Sequence, residues 1–317
     1  MKNRIIAALW LGLSFYALGF GQAAGTTNFN FLKDNYSARG AGMANNLLAI
    51  KGDVNALFYN PAALSGILGR QWTVNYVDHL LDFQGGQLIY SQPNRLLGNV
   101  SLGLLYLNYG TFRETDQFGD ETGRNFGASE FALAVSVANE LGQGFDYGLT
   151  VKYVYSSLDN FNASAVAFDA GLIYTLDYLD NLQLGVSVSN LGLILSHFTD
   201  VSEKMPLNVR FGLAKRLAHL PLLFTLSLND ISQDSNDFTD VLKRFSMGGE
   251  FDVSEKVKLR LGYDNAVNRS VKPVGTNGFG GFTAGLGIHY RKIRFDYAYA
   301  SYGDLGSQNR LGVTGTF

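Results

Sequence analysis

The 317 residues carry 25 Lys and Arg against 27 Asp and Glu, a formal net charge of −2 that removes the electrostatic case for nucleic-acid binding. Cysteine is absent, which excludes a lipidated cysteine anchor and a disulfide-stapled secreted domain, so burial and hydrogen bonding must hold the fold. Beyond the N-terminus no apolar run is long enough for a spanning helix, so any membrane crossing has to be made by strands.

The chain opens as a secretory signal. Lys2 and Arg4 precede an apolar run from Ile5 to Leu13 that continues through Phe15 to Phe20, and the small residues Gly21, Ala23, Ala24 and Gly25 follow. Residues 1–23 are read as a signal peptide cleaved after Ala23. The next segment, 24–71, is different in kind. It holds the small, glycine-rich stretch Ser37–Asn45, then Gly52–Leu64, and Asn60-Pro61 is a helix or turn starter. A segment of this size with short helical pieces, ahead of a run of strands, reads as a plug lying in or under a lumen.

From Trp72 to Phe317 the sequence alternates apolar and polar residues in strands of roughly ten residues separated by turn signals. The candidate strands lie near 72–78, 83–92, 98–108, 128–140, 144–156, 164–176, 181–190, 206–216, 220–229, 243–253, 255–264, 279–290, 292–301 and 308–317. Their number is even, as single-chain bacterial barrels require. In Val257–Tyr263 the odd positions are apolar while Lys258 and Arg260 take the other face, and Ile293, Phe295, Tyr297 and Tyr299 alternate with Arg294, Asp296 and Ala298. Short and long links alternate, the long ones near 108–127, 156–164, 190–206, 229–243, 264–279 and 301–308. Tight periplasmic turns and longer external loops produce that rhythm, whereas a secreted β-sandwich does not. The 37 glycines, 17 tyrosines and 23 phenylalanines suit curved, lipid-facing strands. The expected fold is all-β: a transmembrane antiparallel barrel of about 14 strands over 72–317, with an N-terminal plug, in the bacterial outer membrane. Phe317, closing an alternating terminal strand, is the candidate signal to the barrel-assembly machinery.

A family resemblance rests on the segment before the barrel. Ala38-Arg39-Gly40-Ala41-Gly42-Met43, then Asp53-Val54-Asn55-Ala56, then Tyr59-Asn60-Pro61-Ala62-Ala63-Leu64 resemble the N-terminus of the FadL-like (fatty-acid transporter) superfamily and its PorV/PorQ branch. Tyr109-Gly110-Thr111-Phe112, Gly127–Leu133, Asn190-Leu191-Gly192 and Leu217-Ala218-His219-Leu220-Pro221 are similar to the PorQ side of that branch. The Arg39–Met43 stretch departs from the PorQ pattern and leans towards the broader family. The resemblance implies a fourteen-stranded barrel whose plug motif comprises Arg39, Gly40, Gly42, Asp53, Asn55, Asn60 and Pro61. It also implies a docking scaffold among other type IX secretion components at the outer surface. The alternative, of a different class, is a transporter of hydrophobic small molecules, for which the shared plug and the apolar stretch Leu191–Leu195 speak.

Chemistry-bearing patterns are sparse. Gly40-x-Gly42 lacks the third glycine of a dinucleotide fingerprint, since Asn45 stands there, and no Gly-Lys-Ser/Thr follows. His79, His197, His219 and His289 are scattered without metal-ligand spacing. Glu114, Asp116, Asp120 and Glu121 crowd one loop but miss the calcium-loop pattern, and Ser196-His197 has no nucleophile-elbow frame. No enzyme and no cofactor are expected. Lys152, Arg210, Lys258, Arg260, Arg294 and Asp296 fall on the face opposite the apolar stripe. A charge facing lipid at mid-membrane costs about 2–4 kcal/mol, so these six are expected to face the lumen, with ordinary solvation there favoured over a specific site.

Overall fold

The computed structural model describes residues 28–80, 83–179, 181–198, 204–233, 237–271 and 280–317; the signal-peptide expectation for 1–23 lies outside them. They form a closed antiparallel barrel of fourteen strands. In chain order these are β1 (Gln71–Asp78), β2 (Gln84–Asn94), β3 (Gly98–Thr115), β4 (Glu121–Gly142), β5 (Phe145–Leu158), β6 (Phe161–Leu176) and β7 (Leu182–Ser196). Then come β8 (Asn208–Arg216), β9 (Leu222–Leu228), β10 (Phe245–Asp252), β11 (Val257–Asp264), β12 (Gly280–Tyr290), β13 (Ile293–Tyr302) and β14 (Ser307–Thr316). Each strand pairs with its neighbour in sequence, and β14 closes on β1 from Gln71↔Thr316 to Asp78↔Asn309. Closure leaves no free edge for a second chain to extend.

Alternation decides which way each side chain points, because successive residues of a strand face opposite sides. On β1, Val74 and Tyr76 are exposed on the outer surface while Thr73, Asn75 and Val77 are buried inside. The same holds on β5, where Leu149, Val151 and Tyr153 face out and Thr150, Lys152 and Val154 face in. The outer surface is thus a belt of large apolar side chains, which is stable only against lipid.

Three expectations change. Residues 108–127 are not a long loop: β3 and β4 continue their pairing to Thr115↔Glu121, with only 116–120 between them. Polar, charged residues hid this hairpin, since outside the membrane neither face needs an apolar stripe. The link over 156–164 likewise shrinks to residues 159–160. Finally, β7 does not end at Asn190. Asn190 adopts φ 63°, the β6–β7 register slips between Phe168 and Ala170, and the alternation inverts so that Leu191, Leu193 and Leu195 face outward from a continuing strand.

The segment 28–67 packs against inner strand faces on several sides of the ring, and therefore lies within it. It is a chain of short capped pieces. Ser37 caps the helix Ala38–Gly42 by accepting from the Gly40 N–H, and Asp53 caps the 3-10 turn Val54–Ala56. Asn60 caps the 3-10 turn Pro61–Gly66, with Pro61 at the first position, where no N–H is needed. The wall is pared back to admit it. A Cβ at Gly148 or Gly171 would run into Pro61 or Asn60, and Gly42 and Gly285 approach so closely that a Cβ on either would sit about 3 Å from the other backbone.

Candidate functional site

Arg39 and Asp53 are brought together by the first two capped pieces, and both turn towards β10, β11 and β13. Arg39 donates from Nη1 to Asp53 Oδ2 (2.5 Å), and from Nε and Nη2 to the two oxygens of Glu250 (3.0 and 2.7 Å). Glu250 also accepts from Arg260 Nε (2.7 Å), and Arg260 Nη1 donates to Asp296 Oδ1 (2.8 Å). Asp296 accepts from Arg294 Nε (2.7 Å), and Arg294 comes back to within 3.9 Å of Asp53. Three guanidinium groups and three carboxylates therefore form one closed, charge-neutral ring between the N-terminal segment and the wall.

Register builds the wall side of this ring. Glu250 and Arg260 are direct cross-strand partners, while Asp296 lies two strands from Arg260, on the far side of β12. Arg260 crosses β12 because the two inward positions there are bare: Gly285 opposite it, and Gly287 opposite Asp296. A Cβ at Gly287 would stand 2.6 Å from Arg260 Nη2 and 3.0 Å from Asp296 Oδ1. The ring is largely buried, with the Arg260 side chain at 0% exposure and Arg39 and Arg294 keeping a small accessible edge. Burial by itself would raise the Asp53 carboxyl, but the Arg39 and Arg294 charges and the Asn55 donors overcome it and hold it well below the usual carboxylate range.

Asn55 ties the same turn to the seam where the barrel closes. Its Oδ1 accepts from Thr73 Oγ1 (3.1 Å) and Asn75 Nδ2 (2.9 Å), and its Nδ2 donates to Asp53 Oδ1 (2.8 Å) and Thr314 Oγ1 (3.3 Å). Asn60 donates from Nδ2 to the Leu48 carbonyl (2.6 Å) while its Oδ1 caps Ala62. Gly40 is held to glycine by Asn35 and Leu47, which a Cβ would strike.

The remaining candidate charges lie elsewhere on the inner face. Lys152 pairs with Asp169 (2.7 Å) and donates to Asn190, and Arg210 stacks on the Tyr59 ring at 4.3 Å from its centre. Lys258 pairs with Asp252 (2.6 Å) near the rim that carries the barrel's chain ends. So Arg260, Arg294 and Asp296 meet Arg39 and Asp53, whereas Lys152, Arg210 and Lys258 do not. Instead of ordinary lumen solvation, these groups have protein partners. Glu250 and Asp169 are the buried carboxylate partners of these charges that the sequence reading missed. Both were findable, since Ser246, Gly248 and Glu250 alternate inward on β10, as do Ala165, Ala167 and Asp169 on β6. Glu114, Asp116, Asp120 and Glu121 serve their own hairpin: Arg124 holds Glu114, Arg113 holds Glu121, and Asp116 accepts from the Phe118 and Asp120 N–H groups. Among the described residues no group of three or more metal-ligating side chains occurs. Phe317 is 71% exposed at the end-bearing rim, and its N–H donates to the Arg70 carbonyl (3.1 Å).

A second feature runs along the inside of β1–β6. Val77, Ile89, Leu105, Leu107 and Val154, with small alanines on β4 and β6, make an apolar inner wall. Phe29, Phe31, Leu32, Leu57 and Phe58 of the N-terminal segment are buried against it. Phe83, Tyr109, Ile194 and Phe198 continue it towards the opposite rim, half-buried.

No family model and no curated protein matches the sequence. Solved structures do. The toluene transporter TodX of Pseudomonas putida superposes with a TM-score of 0.58 at 14% identity, over 89% of this chain and 97% of that one. The toluene transporter TbuX of Ralstonia pickettii gives 0.59 at 12% identity, over 89% and 98%. A FadL homologue from Pseudomonas aeruginosa gives 0.54 at 14% identity, over 90% and 99%. At such identities the likeness is one of fold. Joined to the closed barrel and its apolar belt, it leads to one conclusion: the chain has the fold of the FadL-like outer-membrane channels and resides in the bacterial outer membrane.

Proposed function

We propose that the protein is an outer-membrane channel for small hydrophobic molecules, stoppered by its N-terminal segment acting as a plug. The observation that carries this reading is the apolar inner wall of β1–β6. A barrel lumen that served only water and ions would be polar there. This one presents Ile89, Leu105 and Leu107 to the interior and covers them with Phe29, Phe31 and Leu32 of the same chain. Those side chains occupy the place that an apolar solute would take, so passage requires the plug to shift. Structural neighbours described as toluene transporters support the reading without fixing the substrate. The test is uptake of radiolabelled toluene by cells whose outer membrane carries the protein. Uptake above that of cells lacking it is expected, and equal rates would refute the channel.

A second reading, a docking scaffold for type IX secretion components, draws support from the β3–β4 hairpin. Residues 109–115 and 121–127 run past the last partners on β2 and β5, Asn108 and Ala128, so the hairpin projects on the order of 20 Å. Its tip exposes Phe118 at 81%. Affinity purification from the native outer membrane decides it: co-purifying secretion components favour docking, and the barrel alone with normal cargo attachment in a deletion strain excludes it.

A further inference from the structure

Where the N-terminal segment approaches the rim opposite the chain ends, it leaves a carboxylate uncovered. Asp34 directly follows the 3-10 turn Asn30–Lys33 inside the ring of strands; protein surrounds it, yet its own surface stays open to water, so it lines a water-reached chamber within the barrel mouth. Among the described residues no side chain is paired with it. Arg310 and Glu130 are its charged neighbours. Arg310 is already engaged, donating from Nε to the Asn35 carbonyl (3.0 Å) and from Nη2 to Gln308 Oε1 (2.7 Å). Glu130 accepts from the Tyr109 hydroxyl (2.6 Å).

A second observation points to a ligand. Tyr36 is 1% exposed, and its hydroxyl, lying among Asp34, Tyr109, Glu130 and Arg310, has no hydrogen-bond partner. A buried hydroxyl without a partner costs more than its bond would contribute, so a donor brought to the Tyr36 oxygen gains by it. The walls are aromatic. Tyr36 meets His79 edge-on at 6.0 Å, and Phe83 meets Tyr109 at 5.0 Å. His79 accepts at Nδ1 from Gln308 Nε2 (2.8 Å), because the Gln308 oxygen is taken by Arg310 and Tyr302, and burial beside Arg310 holds its pKa down at about 4. The ring is neutral at pH 7, so two carboxylates face one committed guanidinium.

We propose that this chamber is a binding site for the head of an amphipathic organic ammonium ion, its apolar body lying against the half-buried Phe83, Ile194 and Phe198 that continue the inner wall towards that rim. The inference rests on the channel reading and names the class of solute. The ammonium donates to Asp34 and to the Tyr36 oxygen. A carboxylate head is disfavoured there by Asp34 and Glu130. Calorimetric titration of the full chain in nanodiscs at pH 7.5 tests this with three monoaromatic probes: 2-phenylethylammonium, phenylacetate and toluene. A charge-assisted contact implies that the ammonium binds at least about tenfold tighter than phenylacetate. Asp34→Asn should erase that margin, and Asp34→Lys should reverse it. Tyr36→Phe, which keeps the ring, should weaken the ammonium alone. A heat-modifiability gel verifies that each variant is folded. Toluene binding with no preference for the ammonium overturns the site and leaves the channel standing. Ammonium preference without toluene uptake in cells upholds the site and removes the channel, and no binding of any probe overturns both.

Discussion

Arg39 grips Glu250 through two parallel contacts, Nε to Oε2 at 3.0 Å and Nη2 to Oε1 at 2.7 Å, joining positions 211 residues apart in the chain. Fork-to-carboxylate geometry of this kind fixes orientation as well as distance. Because both groups are nearly dry, the pair is not a source of large net stability, yet breaking it from one side strands a charge. On the channel reading proposed above, this contact is the latch: its two halves belong to the N-terminal segment and to the wall, which must separate for the lumen to open.

Glu250→Gln should loosen the latch without changing side-chain size. It leaves Arg39 and Arg260 facing a neutral amide, and truncating a buried ion pair on one side costs about 3–5 kcal/mol. The expected result is a lower urea midpoint together with a higher single-channel conductance in planar bilayers. Wild-type midpoint and wild-type conductance would together dismiss the latch.

Gly287→Ala tests the wall side of the ring. The added methyl would meet Arg260 Nη2 and Asp296 Oδ1, and overpacking of this kind costs typically about 1–3 kcal/mol. Since both contacts are made by the Arg260–Asp296 pair, the effects of Gly287→Ala and Asp296→Ala should not add. A double-mutant cycle by urea unfolding measures this. Strict additivity would mean that Gly287 does not make way for the ion pair.

Asp34 supplies a pH dependence with a definite sign. Desolvation by the protein that surrounds it, opposed by Arg310 and aided by Glu130, raises its pKa from 3.8 to about 6. The folded state therefore binds this proton more tightly than the unfolded chain. Its stabilising contribution is complete below about 3.8 and is lost as pH rises through about 6. Asp34→Asn removes the charge, so the variant should unfold at higher urea than the wild type at pH 7.5, and the two should converge by pH 4. A gap that is constant across that range would show that Asp34 does not titrate there.

Much of the barrel was legible because lipid enforces period two. Val257–Tyr263 and Ile293–Tyr299 had to turn their apolar residues outward, and that single constraint places Arg260, Arg294 and Asp296 inside. Legibility stops where the constraint stops. Beyond the membrane the β3–β4 hairpin needs no greasy face, so 109–115 and 121–127 read as loop. At Asn190 one left-handed residue inverts the alternation, and no pattern rule marks where such a bulge falls. The motif residues Arg39, Asp53, Asn55 and Asn60 stood out in sequence, but their partners did not. Which carboxylate meets Arg39 depends on barrel register and on two bare positions, Gly285 and Gly287, that carry no signal by themselves.

For Phe317, assembly and stability can be tested apart. Phe317 projects from the rim with 71% of its surface exposed, and its backbone N–H makes one bond to Arg70. Neither core cluster includes it, and the β1–β14 pairing ends at Thr316. Loss of an exposed side chain away from caps and cores ordinarily changes stability by no more than about 0.5 kcal/mol. Deleting Phe317 should therefore leave the urea midpoint of barrel refolded in detergent almost unchanged. In cells, where the closing strand has to be recognised before it can pair with β1, the same deletion should sharply lower the folded barrel recovered from outer-membrane fractions on a heat-modifiability gel. Equal abundance of deleted and full-length chains would release Phe317 from any role in insertion. A fall in both measurements would make it an ordinary structural residue.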